Sequence, residues 1–131
     1  MGDDNRATLE RMLDAMMRSD WDTFAATMAD DAVVEYPQSG EMFVGRQACL
    51  NVFRNYPGGS PQYELKRISG GPDVYVIEAT GDYSGEIVHL ASIVEFRDGK
   101  IAKQTDYWAN AFEAPAWRSE WVQHVDKVPV G

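Results

Sequence analysis

Val74-Tyr-Val-Ile-Glu-Ala-Thr-Gly-Asp82, a Tyr83-Ser-Gly85 break, Glu86-Ile-Val-His-Leu-Ala-Ser-Ile-Val-Glu-Phe96, an Arg97-Asp-Gly-Lys100 break, and Ile101-Ala-Lys-Gln-Thr-Asp-Tyr-Trp108 form the stretch that decides the fold. β-Branched and aromatic residues fill the segments, and Gly, Asp and Ser punctuate them, which predicts an antiparallel meander. Asp98-Gly99 is the strongest turn signal, because tight hairpins need positive φ and glycine supplies it freely. With Phe96 paired to Ile101 and strict alternation beyond, His89, Ala91, Ile93 and Glu95 share a face with Ala102, Gln104, Asp106 and Trp108. With Gly81 paired to Glu86, Glu78 joins that face opposite His89. The expectation is a polar trio, Glu78, His89 and Asp106, on an otherwise apolar face. A bulge in either hairpin would move any of the three to the other side.

The chain of 131 residues suits one domain with a core of its own. Its net charge of −9 argues against nucleic-acid binding, because such a surface repels phosphates. No basic cluster marks a membrane surface, and no run of about 18 apolar residues marks a span. The polar, acidic start Met1-Gly-Asp-Asp-Asn5 does not read as a signal peptide. With Cys49 the only cysteine, no internal disulfide is possible. A soluble cytoplasmic protein is the expectation.

Leu9, Met12, Leu13, Met16 and Met17 recur at helical spacing and predict one apolar stripe on a first helix. Ser19-Asp20 punctuates the chain and caps a short second helix that turns Trp21, Phe24 and Met28 inward. Asp30-Asp31 is read as its end, Ala32–Tyr36 and Met42–Val44 as short strands. Gly45 opens a third helix with Cys49, Val52, Phe53 and Tyr56 on one side, stopped by Pro57-Gly-Gly-Ser-Pro61. Tyr63–Ile68 leads into the meander. Pro115 suits the first turn of a last α-helix, on which Trp117 and Trp121 would share a face. The order predicts an α+β domain over residues 1–131, helices packed on one face of a curved antiparallel sheet, with 112–131 as a C-terminal helical tail. Strands apolar on both faces point to a homodimer through the outer face.

Trp21-Asp-Thr-Phe24, Ala29-Asp-Asp-Ala-Val33, Gly45-Arg46 and Phe96-Arg-Asp-Gly-Lys-Ile101 resemble the NTF2-like superfamily, and most closely its SnoaL-like, polyketide cyclase-type branch. Thr105-Asp-Tyr-Trp108 and Phe112-Glu-Ala-Pro-Ala-Trp-Arg118 are similar to the tails of its uncharacterised bacterial members. The resemblance implies a cone-shaped α+β barrel with a pocket between the concave sheet and the helices, and it implies dimers. Ketosteroid isomerases of this fold take an oxyanion-hole tyrosine from the first helix, whose stripe here is Leu and Met. Cyclases of the SnoaL type use an acidic residue on the late strands, for which Asp106 is the nearest counterpart.

Asp106 is therefore the first catalytic candidate, since burial in an apolar cone raises a carboxyl pKa toward a useful range. His89 would orient or protonate a substrate oxygen, or pair within the core. Glu78 would be a second acid/base group or the ion-pair partner of His89. Tyr36, Gln38, Phe53, Tyr56, Trp108, Phe112 and Trp117 are expected at the mouth or walls, a lining suited to a small apolar or aromatic molecule. No metal-ligand spacing and no Gly-rich phosphate loop occurs, so no metal and no cofactor are expected. The predicted activity is cofactor-independent acid/base chemistry of the cyclase, isomerase or dehydratase type on an aromatic or polyketide-like substrate. The alternative is a non-catalytic binder of an apolar ligand.

Overall fold

The structure is a computed structural model that describes residues 2–57, 62–83 and 85–125. Three helices come early, α1 (Gly2–Arg18), α2 (Trp21–Ala26) and α3 (Arg46–Arg54). Six strands, β1 (Met28–Tyr36), β2 (Glu41–Val44), β3 (Gln62–Gly70), β4 (Val74–Tyr83), β5 (Glu86–Arg97) and β6 (Lys100–Asn110), form one sheet in the order β2-β1-β6-β5-β4-β3. The α+β class and the helices against the sheet are as the sequence predicts. The sheet is open, with β2 and β3 as its edges, and mixed rather than antiparallel throughout, because β1 lies parallel to β6. Among the described residues no helix is long and apolar enough to cross a membrane.

The apolar stripe of α1 buries Leu9, Met12 and Ala15. Asp20 caps α2 as expected, its carboxylate accepting from the Thr23 amide and hydroxyl. The chain then leaves the helix sooner than Asp30-Asp31 suggests: Thr27, fully buried, bonds back to the Phe24 carbonyl, and β1 begins at Met28. Strand pairing explains this early start, since Ile101 of β6 donates to the Thr27 carbonyl and Met28 faces Ile101. Phe24 fills the centre of the core, its ring 5.4 Å from Trp21 and 5.2 Å from Phe53. Gly58–Pro61, read above as the stop after the third helix, lie outside the described residues.

The Asp98-Gly99 turn has positive φ at both central residues, +53° and +78°, and Phe96 faces Ile101 as predicted. Strict alternation then fails. Glu95 faces Lys103, so Ala102 is an extra residue on β6 and forms a bulge. Beyond it Ser92 faces Asp106 and Leu90 faces Trp108, which puts Gln104, Asp106 and Trp108 on the face of Phe96 and Val94. On the other hairpin Gly81 faces Val88 rather than Glu86, leaving Glu78 opposite Ala91 on the outer face.

After Asn110 the tail carries one 3₁₀ segment, Ala116–Trp121, rather than an α-helix. At three residues per turn, positions four apart are rotated by a third of a turn, so Trp117 and Trp121 do not share a face. Both are 73% exposed and Phe112 is 71% exposed, so none of them closes a cavity within this chain. Residues 126–131 of the predicted tail lie outside the described residues.

Candidate functional site

The bulge at Ala102 makes the site. It turns Asp106 inward, where the carboxyl is only 6% exposed, beneath the methionine stripe of α1. Two neighbours on the same face hold it. Ser92 Oγ donates to Asp106 Oδ1 at 2.5 Å, and Gln104 Nε2 donates to Oδ1 at 3.0 Å and to Oδ2 at 3.2 Å. Oδ2 therefore keeps acceptor capacity, because a carboxylate offers about four lone-pair sites. Burial pushes the Asp106 pKa up, and the Ser92 and Gln104 hydrogen bonds oppose that rise without cancelling it.

Asp106 sits where two chambers meet. One, of about 180 Å³, lies under α1 between Met12, Leu13, Met16 and Met17 and the sheet residues Ile77, Ala79, Leu90 and Ser92. The other, of about 110 Å³, is walled by Tyr36, Tyr56, Tyr83 and Trp108. Met16, Phe53, Tyr63 and Asp106 border both. The Tyr63 and Tyr83 hydroxyls are 2.7 Å apart, so one donates to the other and a phenolic proton remains for a ligand. Gly81 permits this approach: a Cβ there would stand 2.8 Å from the Tyr83 ring and 3.0 Å from that of Tyr63. Burial, first of all, raises the pKa of Tyr36, Tyr63 and Tyr83; for Tyr36 the Asp106 carboxylate adds to it. These phenols keep their protons at neutral pH and act as donors.

The expected trio does not assemble. His89 and Glu78 lie on the outer face, His89 opposite Thr80 and Ala109, while Asp106 lies inside. Glu78 pairs with Arg67 across β3–β4, not with His89. Both border a shallow outer groove with Lys66 and Tyr107. Of the predicted lining residues, Tyr36, Phe53, Tyr56 and Trp108 border the inner chambers. Gln38 instead clamps the backbone of Trp108, donating to its carbonyl at 2.6 Å and accepting from its amide at 2.7 Å. Phe112 and Trp117 stand in the exposed tail, where Arg118 stacks 5.6 Å from the Trp117 ring. Ser92, Gln104, Tyr63 and Tyr83 were not singled out in the sequence. Parity would have found Ser92 and Gln104 once the bulge was placed, and Tyr83 was hidden by its reading as a turn. Among the described residues, no three His, Cys, Asp or Glu side chains converge as a metal site.

The sequence profile of the SnoaL-like domain matches residues 9–104, most of the chain. The protein belongs to the SnoaL-like family. An NTF2-like protein of unknown function from Burkholderia xenovorans is 36% identical to this SnoaL-like chain, with TM-score 0.83 over 95% of this chain and 97% of that one. A candidate ketosteroid isomerase from Kribbella flavida is 27% identical, with TM-score 0.89 over 95% and 92%. An epoxide hydrolase of the LEH-like type from M. tuberculosis, 22% identical with TM-score 0.69 over 82% and 84%, shares the fold. No curated protein matches the sequence. The profile match ends two residues before Asp106, so family membership fixes the scaffold and leaves the chemistry to the site.

Proposed function

We propose that this SnoaL-like protein is a cofactor-independent acid/base enzyme in which Asp106 takes a proton from, and returns it to, an aromatic or polyketide-like substrate. The reaction would be a cyclisation, isomerisation or dehydration. One observation carries the reading: a buried carboxyl of raised pKa faces an apolar cavity with Oδ2 only weakly engaged. A base of that kind is strengthened by low dielectric, and its two neutral donors fix its direction. The free phenolic proton of the Tyr63–Tyr83 pair would stabilise negative charge developing on a substrate oxygen. The Kribbella flavida neighbour, a candidate ketosteroid isomerase, favours a proton-moving reaction. The active unit is proposed to be a homodimer joined through the outer face of the sheet.

The second reading, a binder without turnover, draws on the roof of four side chains that includes three methionines, which adapts to many apolar shapes. Hydrogen exchange separates the two. A panel of aryl and polycyclic ketones is incubated with the protein in D₂O, and deuterium uptake beside the carbonyl is read by mass spectrometry. The enzyme reading expects uptake, reduced about 10²–10⁴-fold in Asp106→Asn. Ketones that quench tryptophan fluorescence on binding, yet exchange no faster than in buffer, would leave the binder.

A further inference from the structure

We propose that the small aromatic chamber beside Asp106 takes an alkylammonium group, so that the ligand of this protein is an amine with an apolar body. The proposal rests on the reading of the Asp106 cavity as the ligand site and names the chemistry of the ligand's polar end.

The charges come first. Among the described residues bordering either inner chamber, the charged side chains are Asp106 and Asp14, both acidic, and there is no Lys, Arg or His. Asp14 stands at the rim and is engaged by Arg18 at 2.9 Å. Asp106 has only neutral partners, and a buried carboxylate without a cation is costly unless something cationic arrives. The chain as a whole, at −9, draws cations toward such a cleft.

The walls come second. Tyr36, Phe53, Tyr56, Tyr63, Tyr83 and Trp108 line the chamber that Asp106 borders, six rings around a space of about 110 Å³. That is the liquid volume of about four water molecules, enough for an ammonium nitrogen carrying small alkyl groups. Ring faces carry negative charge density and attract alkylated ammonium groups, which are too weakly hydrated to prefer water strongly. Tyr36 and Trp108 are held edge to face, 4.8 Å between centroids at 84°, so the walls do not collapse on one another as parallel plates.

The third argument is a surplus of acceptors. Asp106 Oδ2 has only its 3.2 Å contact, and Gln104 Oε1 is buried with no hydrogen-bond partner among the described residues. A ligand that supplies an N–H donor meets this need at Oδ2. The 180 Å³ chamber under the methionines then holds the hydrocarbon remainder.

Isothermal titration calorimetry on the full chain tests this with four probes of one shape. They are 3-phenylpropyl-dimethylamine, its trimethylammonium analogue, the neutral isostere with carbon in place of the quaternary nitrogen, and 3-phenylpropan-1-ol. The two cations are expected to bind at least about ten-fold tighter than the neutral pair. Asp106→Asn and Tyr36→Leu should each remove most of that preference. Equal or tighter binding of the isostere or the alcohol overturns the ammonium proposal and leaves the acid/base site standing. Failure of all four probes also overturns it. Binding of aryl ketones in the same experiment then shows whether the site reading survives or falls with it.

Discussion

Removing one hydroxyl should change the proton affinity of the proposed base without disturbing the sheet. Ser92 is 3% exposed, faces Asp106 across β5–β6, and gives Oδ1 a 2.5 Å hydrogen bond. Ser92→Ala deletes that donor and keeps every backbone pairing. Among the effects holding the Asp106 pKa down, the Ser92 bond is the largest. A hydrogen bond to a charged group is worth about 1.5–3 kcal/mol, so the carboxylate should bind its proton roughly 10- to 100-fold more tightly in the variant. The sign of the stability effect follows. A carboxyl whose folded pKa is raised contributes stability in full below its unfolded value, and loses it as pH rises through the folded value. Ser92→Ala raises the folded value further, so the two proteins should be nearly equal near pH 3 and diverge as the pH rises. Once both carboxyls are ionised the variant should be less stable by about 1.5–3 kcal/mol, or roughly 5–12 °C in Tm for a chain of this size. Urea melts followed by circular dichroism at several pH values, with a ¹³C NMR titration of the Asp106 carboxyl, give both readings. A stability gap that does not change with pH, or a titration midpoint that stays put or falls, would refute the role given to Ser92.

Phe24→Ala should cost about 3–5 kcal/mol in urea denaturation, because the ring is fully buried and touches Trp21 and Phe53; a loss under 1 kcal/mol would contradict its place at the centre of the core. Gly81→Ala should part the Tyr63 and Tyr83 hydroxyls, since its Cβ would stand 2.8 Å from one ring; a crystal structure of the variant that keeps their 2.7 Å contact would count against the need for glycine here. Multi-angle light scattering at micromolar concentration should give twice the chain mass, and a monomer would remove the outer-face dimer.

How much of this was legible in the sequence depended on whether a feature leaves a residue-type signature. The α1 stripe, the Asp20 cap and the Asp98-Gly99 hairpin do, because apolar spacing, a side-chain oxygen and positive φ each demand particular residues. A bulge at an alanine demands none, so alternation was carried straight through Ala102 and the trio Glu78, His89 and Asp106 was drawn on one face. Two clues were present. Val88, Leu90, Ser92, Val94 and Phe96, with no charged or titratable member, make a more apolar row than Ile87, His89, Ala91, Ile93 and Glu95, which marks the former as the buried face. Strict alternation also carries Lys103 onto the buried face with Phe96 and Ile101, where a lysine would lack water, whereas one skipped residue sets it opposite Glu95. In the structure Lys103 lies outside and reaches Glu35 of β1 at 3.4 Å. The tail misled for another reason. Pro115 and two tryptophans four apart fit a helix locally, but Trp117 and Trp121 both stay 73% exposed, so burial among the described residues does not favour α over 3₁₀ geometry.

The one-residue slip at Ala102 thus separates two different proteins that the same sequence could describe. Without it, Asp106 would lie outside among His89 and Glu78, a polar cluster at a surface where water levels pKa differences and ion pairs are worth little. With it, the same carboxyl enters a cavity walled by Met and aromatic side chains, its partners reduce to Ser92 and Gln104, and its proton affinity rises. His89 and Glu78 stay on the face where the proposed dimer would form, so their place in the molecule is to be sought in assembly rather than in proton transfer. The bulge therefore does for this strand what a new side chain could not: it brings an existing acid inside without altering the turn that sets the hairpin. Its neighbour across the strand, Glu95 facing Lys103, keeps the outer row in register after the slip.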